Sequence, residues 1–156
     1  MALQTFNDGE ANSSVRNKIN SNFNLLNSER FFNTVVVQTA SDFGVIDSSK
    51  VYRLDGIIDM GSTSITVPPT GITIIGDSFD VSGLTSSADN YTMFVSESIA
   101  IGSGNVLGTD WFVTTSGTNS KVYELYDATG FNAIELNRVN YNDCTSLGDI
   151  YDYRQG

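Results

Sequence analysis

The chain contains no histidine, a single cysteine and two prolines, and only 8 of its 156 residues are lysine or arginine. Each scarcity excludes something. Without histidine there is no Ser-His-Asp or Cys-His activation of a nucleophile, and no His/Cys metal cluster. With Cys144 alone, no disulfide can form within the chain, and a thiol lacking an activating base reads as buried and inert. No apolar run approaches the roughly 20 residues that span a bilayer as a helix. The net charge of −10 argues against nucleic acid and anionic membrane as partners. That charge is unevenly placed. Residues 1–33 set Arg16, Lys18 and Arg30 against Asp8, Glu10 and Glu29, so the excess belongs to residues 34–156.

The first segment is the part with a helical period. Asn7 with Glu10 three residues on can open a helix. Val15, Ile19, Phe23 and Leu26 then recur at helical spacing and share one stripe, opposite Asn17, Asn20, Asn24 and Ser28. A lone helix of this length and polar composition is marginal in water, so the stripe must be covered by its own domain, by copies of itself or by a larger assembly. The expectation is an amphipathic helix over residues 11–29.

Residues 9–24, GEANSSVRNKINSNFN, resemble a short segment near the start of many virion structural proteins of tailed bacteriophages, with the core Ser14-Val15-Arg16-Asn17-Lys18-Ile19-Asn20-Ser21-Asn22-Phe23. The resemblance implies a particle-attachment role for Val15, Arg16, Lys18, Ile19, Phe23 and Leu26. It also implies assembly as a homotrimer docked on other tail or adaptor proteins.

From Thr34 onward the chain reads as short strands between turns. The β-branched and aromatic runs at residues 34–39, 51–54, 57–60, 64–67, 72–75, 79–81, 91–95 and 111–114 predict strands. Asp55-Gly56 marks a tight turn or a corner, Pro68-Pro69 ends any ladder because neither can donate, and residues 41–44 read as a turn or a single helical turn. Within residues 122–150 the strands at 122–126, 133–136 and 138–141 are separated by too few residues for hairpins. They suit a chain that bends at corners and carries on around a coil. The stretches at 82–90 and 96–110 read as loops, and Ile74, Met93, Phe112, Leu125 and Leu136 fall at uneven intervals that insertions would explain.

The run VYRLDGIIDMG…ITVPPTGITIIG resembles the entry into right-handed parallel β-helix domains of phage tailspikes and pectate-lyase-like proteins. The fold expected is therefore mainly β: an N-terminal helix in residues 1–33, then a right-handed parallel β-helix over 34–156, with a β-sandwich as the alternative. Residues 150–156 show no capping helix and read as the start of another coil, which favours the front piece of a longer protein.

Tailspikes of this resemblance often cleave polysaccharides with paired carboxylates. Asp110, Glu124, Asp127, Glu135, Asp143 and Asp149 are available, with Glu124 and Glu135 on strands adjacent in sequence, and Trp111, Tyr123, Tyr126 and Tyr141 could stack on sugars. Any acidic β-protein offers such groups, so the carboxylates read as solvated surface and the aromatics as core or intersubunit contacts. Gly102-Ser103-Gly104 lacks the third glycine and the lysine of a phosphate loop, and no calcium-binding glycine-aspartate repeat is present. The reading is a non-enzymatic virion component with no cofactor and no metal, the particle-attached part of a tail fibre or tailspike. It would project a region recognising host surface glycan. A polysaccharide-degrading tailspike fragment and a capsid decoration protein are the alternatives.

Overall fold

A computed structural model of the chain describes residues 33–154 together with Lys18 and Ile19. The chain divides into two units, Met1–Thr34 and Val35–Gly156. In the first, the helix expected over residues 11–29 lies outside the described residues except at Lys18 and Ile19, whose backbone is helical. The second is mainly β, and every strand pair with an established register within it runs parallel.

Strand β1 (Thr34–Val37) and a 3-10 turn (Ala40–Phe43) precede four passes of the chain. The first pass is β2 (Val51–Leu54), β3 (Ile57–Asp59) and β4 (Ile65–Val67), and the second is β5 (Ile72–Ile75), β6 (Gly83–Ser86) and β7 (Thr92–Ser96). In the third, β8 (Val106–Thr115) does the work of two strands before β9 (Lys121–Tyr126), and in the fourth β10 (Ile134–Tyr141) precedes β11 (Gly148–Tyr151). Register shows how the passes lie on one another. Tyr52 lies beside Ile74, which lies beside Gly108, which lies beside Leu136. A second column runs Ile58, Leu84, Val113, Tyr141, and a third Ile65, Phe94, Tyr123, Gly148. Hydrogen bonds that cross from one pass to the next, such as the Tyr126 amide donating to Ser96 Oγ and the Tyr91 hydroxyl donating to the Thr63 carbonyl, accordingly span 30 and 28 residues of sequence.

The period of two along each strand turns alternate residues inward. Ile74, Leu84, Met93, Phe94, Trp111, Val113 and Leu125 are all fully buried, and the Phe94 ring packs on Trp111 and stacks on Tyr123 at 5.5 Å. Burial of this kind is the main stabilising term, about 1.5–3 kcal/mol per large side chain. Corners hold the columns in register. Asn90 and Asn119 both adopt left-handed backbone, with φ of 52° and 56°, and the Asn119 amide donates to Asn90 Oδ1 at 3.2 Å. Asparagine tolerates that conformation better than most residues. Gly117 sits against the Ala88 carbonyl, where any Cβ would collide with it.

Three expectations need correction. Residues 79–81 form a turn, closed by Val81 and Ser82 amides donating to the Ser78 carbonyl, and the strand lies at Gly83–Ser86. The strand at 111–114 begins already at Val106, inside a stretch that reads as loop. The strands at 133–136 and 138–141 are one strand, β10, bent at Arg138, whose φ is 54°. Parallel pairing in every pair with an established register also disfavours an antiparallel sandwich for this unit.

Candidate functional site

Of the attachment residues, Val15, Arg16, Phe23 and Leu26 lie outside the described residues. Ile19 presents 49% of its surface to solvent, and Lys18 is half-buried beside it. What the structure does bring together is a set of charged and aromatic groups on the outer face of β9 and β11.

Glu124 and Asp149 are direct neighbours across the β9–β11 ladder, both pointing outward. Parallel strands put such neighbours about 5 Å apart. Lys121, three residues before Glu124 at the start of β9, donates to Asp149 Oδ2 at 2.8 Å. That hydrogen bond and the attraction of Asp149, reinforced by Glu124, hold the ammonium above its ordinary pKa. Tyr126 and Tyr151 continue the same face as a stacked pair, ring centroids 4.6 Å apart and planes within 8°. Burial and then the neighbouring Tyr151 push the Tyr126 phenol upward.

Glu124 and Glu135 are not brought together. Glu135 faces outward from β10 beside Leu107 of β8, in the other sheet, because the spatial neighbour of a strand is one full pass away rather than the next strand in sequence. Asp110 bonds Arg138 at 2.6 Å across the β8–β10 bend. Asp143 occupies a corner with φ 48°.

Asp127 is buried and structural. It accepts from the Thr129 and Asn132 amides, the Thr129 hydroxyl and the Asn132 side chain, all within 2.8 Å. Burial opposes its ionisation, but these four donors outweigh it and hold the carboxyl well below the usual carboxylate range. Trp111 and Tyr123 are core residues, fully buried or nearly so, and Tyr141 meets Tyr123 hydroxyl to hydroxyl at 2.9 Å. Tyr151, absent from the sequence candidates, completes the stacked pair with Tyr126. Its signal was the register, since it stands opposite Tyr126.

A second feature is an open groove of about 580 Å³ over β5, β8 and β10, walled by Thr73, Ile75, Leu107, Thr109, Glu135 and Asn137. Among the described residues no group of three or more carboxylate or cysteine side chains could hold a metal ion, and no helix is long and apolar enough to cross a membrane. No family model matches the chain, and no curated protein or solved structure matches it significantly.

The arrangement on β9 and β11 pairs a positive charge with two negative ones beside a flat aromatic surface. Such a face suits a polar, ring-bearing surface such as a glycan, or the face of another protein. As a hydrolytic pair it is compromised, because Asp149 is already committed to Lys121.

Proposed function

We propose that this chain is a structural component of a tailed-phage virion, the particle-attached part of a tail fibre or tailspike. In this reading residues 34–156 form a right-handed parallel β-helix and residues 1–33 an attachment and trimerisation segment. The observation that carries it is the three-column register, Tyr52 to Leu136, Ile58 to Tyr141 and Ile65 to Gly148, built from parallel pairs only. Stacked passes of this kind make a stiff rod whose length grows with each pass, a shape suited to holding a recognition region away from a particle. The resemblance of residues 14–23 to virion attachment segments supplies the location, and the apolar stripe Val15, Ile19, Phe23, Leu26 supplies a surface that three copies can bury among themselves.

Electron microscopy of intact particles decorated with antibody against residues 34–156, together with sedimentation mass, tests the proposal. Label on the tail and a mass in multiples of three chains are expected; unlabelled particles or a mass indivisible by three overturns it. The second reading, polysaccharide cleavage, rests on the adjacency of Glu124 and Asp149. It requires new reducing ends on incubation with host surface glycan, abolished by Glu124→Gln.

A further inference from the structure

The columns on the outside of the second unit are as regular as those inside, and one of them is built of hydroxyls. Leu84, Ser86, Val113 and Thr115 point inward and are buried, which turns Thr85, Ser87, Thr114 and Ser116 outward. The stretches Leu84-Thr85-Ser86-Ser87 and Val113-Thr114-Thr115-Ser116 match in residue type, and register lays one on the other, with Thr85 beside Thr114 and Ser86 beside Thr115. In the pass before, Asp59 takes the place beside Thr85. These side chains line an open pocket of about 220 Å³ on the outer flank of β3, β6 and β8, within the first three passes.

Most of the hydrogen-bonding capacity of this pocket is unused. The hydroxyls of Ser87, Thr114 and Ser116 have no partner among the described residues. Thr85 Oγ1 donates to the Ile58 carbonyl at 3.3 Å and keeps its lone pairs free to accept. Asp59 accepts the Gly61 amide at Oδ1, 2.9 Å away, and leaves Oδ2 open. An aromatic ring stands next to these groups. Phe112, two residues before Thr114 on the same outer face, lies against the backbone of Gly83, where any Cβ would come within 2.5 Å of the Phe112 Cε1. Ile57, on the other side of Gly83, is 58% exposed. Two residues along a strand cover roughly 6.5–7 Å, so the ring and the hydroxyl pocket are about one sugar residue apart.

We infer that this flank is a carbohydrate-binding site, with one ring of a neutral saccharide seated among Asp59, Thr85 and Thr114 and the next against Phe112. The chemistry selects that ligand class. A carboxylate oxygen accepts from sugar hydroxyls, side-chain hydroxyls both donate and accept, and an apolar ring covers the C–H face of a pyranose. Asp59 is the one charged residue among the six that line the pocket, so a phosphate, sulfate or uronate would meet repulsion with no cation to offset it. A metal ion would find a single carboxylate, half of it already engaged by Gly61. The inference goes beyond the tail-fibre reading, which places recognition in a region that this body projects, and it does not rest on that reading.

The test is titration of the full chain, followed by amide and methyl NMR, with neutral methyl glycosides and disaccharides of glucose, galactose, mannose and N-acetylglucosamine. At least one disaccharide should give saturable shifts at Thr85, Thr114 and Phe112 and bind more tightly than its monosaccharide, and inorganic phosphate should give none. Thr114→Val keeps the side-chain shape and removes the hydroxyl, and it should weaken binding about two- to ten-fold, the worth of one hydrogen bond. Ser116→Ala, at an exposed position, repeats that deletion without touching a strand. Phe112→Leu should bring the disaccharide down to the affinity of the monosaccharide. Thr66→Val, on the outer face of β4, should change nothing, and unliganded spectra of each variant report that the fold is kept. Absence of saturable shifts with every saccharide overturns the inference. So do equal shifts from glycerol at the same hydroxyl concentration, shifts confined to Tyr126 and Tyr151, or an affinity unmoved by all three substitutions on this flank.

Discussion

The first and last passes of the second unit use the same columns and end in opposite ways. Tyr52 at the capped end stacks on Phe43 at 5.6 Å and is 2% exposed, while Leu136, three strands further along the same column, is only half-buried. The cap is built cheaply. Asp42 accepts from the Gln38 and Thr39 amides and the Thr39 hydroxyl, which fixes the turn that turns Phe43 down onto the core. Those backbone donors hold the Asp42 carboxyl below its ordinary pKa. The last pass has no equivalent among the described residues. Among the described residues the two passes therefore differ in what covers their inward side chains.

The largest expected effect separates the ends directly. Phe43→Ala removes a nearly buried ring and should cost about 3–4 kcal/mol. Ile150→Ala removes a side chain already half in water and should cost about 1 kcal/mol or less. Urea unfolding of the two variants checks this. Equal losses would contradict the unequal cover of the two ends.

Next in size is the loop that feeds the open pass. Asp127→Ala leaves four donors without their carboxylate and should cost about 2 kcal/mol at neutral pH. Because the folded carboxyl is depressed below the unfolded value of about 3.9, its contribution is fully present above that value. It is lost as pH falls through the lower folded value. The gap between wild type and variant should therefore be constant from pH 5 to 7 and shrink below pH 4. A gap that widens in acid would contradict the hydrogen-bonded, ionised Asp127. Hydrogen exchange in the variant should quicken in β10 and β11 before β2.

These contrasts were only partly legible in the sequence. The strands at Val51–Leu54, Ile57–Asp59 and Ile72–Ile75 announce themselves through β-branched residues, and Asp55-Gly56 through the need for left-handed backbone, Gly56 having φ 96°. Gly83–Ser86 does not, because a strand held on one side by β3 and on the other by β8 needs no propensity of its own, and its glycine is where the Phe112 ring lies. The turn at residues 79–81 misled through Phe79 and Val81, yet Val81 is 55% exposed. Corners of unequal length hid the register, and with it the true neighbour of Glu124. One corner does repeat, Asn90 over Asn119 at a separation of 29, and two similar stretches around those asparagines are its trace in the sequence. The attachment stripe rests on periodicity and resemblance alone.

The smallest effect concerns the corner that both ends share. Column one meets column two at Gly56 in the first pass and at Arg138 in the last, both with positive φ. A side chain in left-handed backbone costs roughly 1–2 kcal/mol, so Gly56→Ala should destabilise by about 1 kcal/mol even though open space surrounds the new Cβ. Arg138→Gly relieves the same strain, but it loosens the unfolded chain by about 0.5–1 kcal/mol and loses the contact with Asp110. The net change should lie within about 0.5 kcal/mol of zero. If Arg138→Gly instead destabilises as much as Gly56→Ala, the pair with Asp110 is worth more than an exposed ion pair usually is.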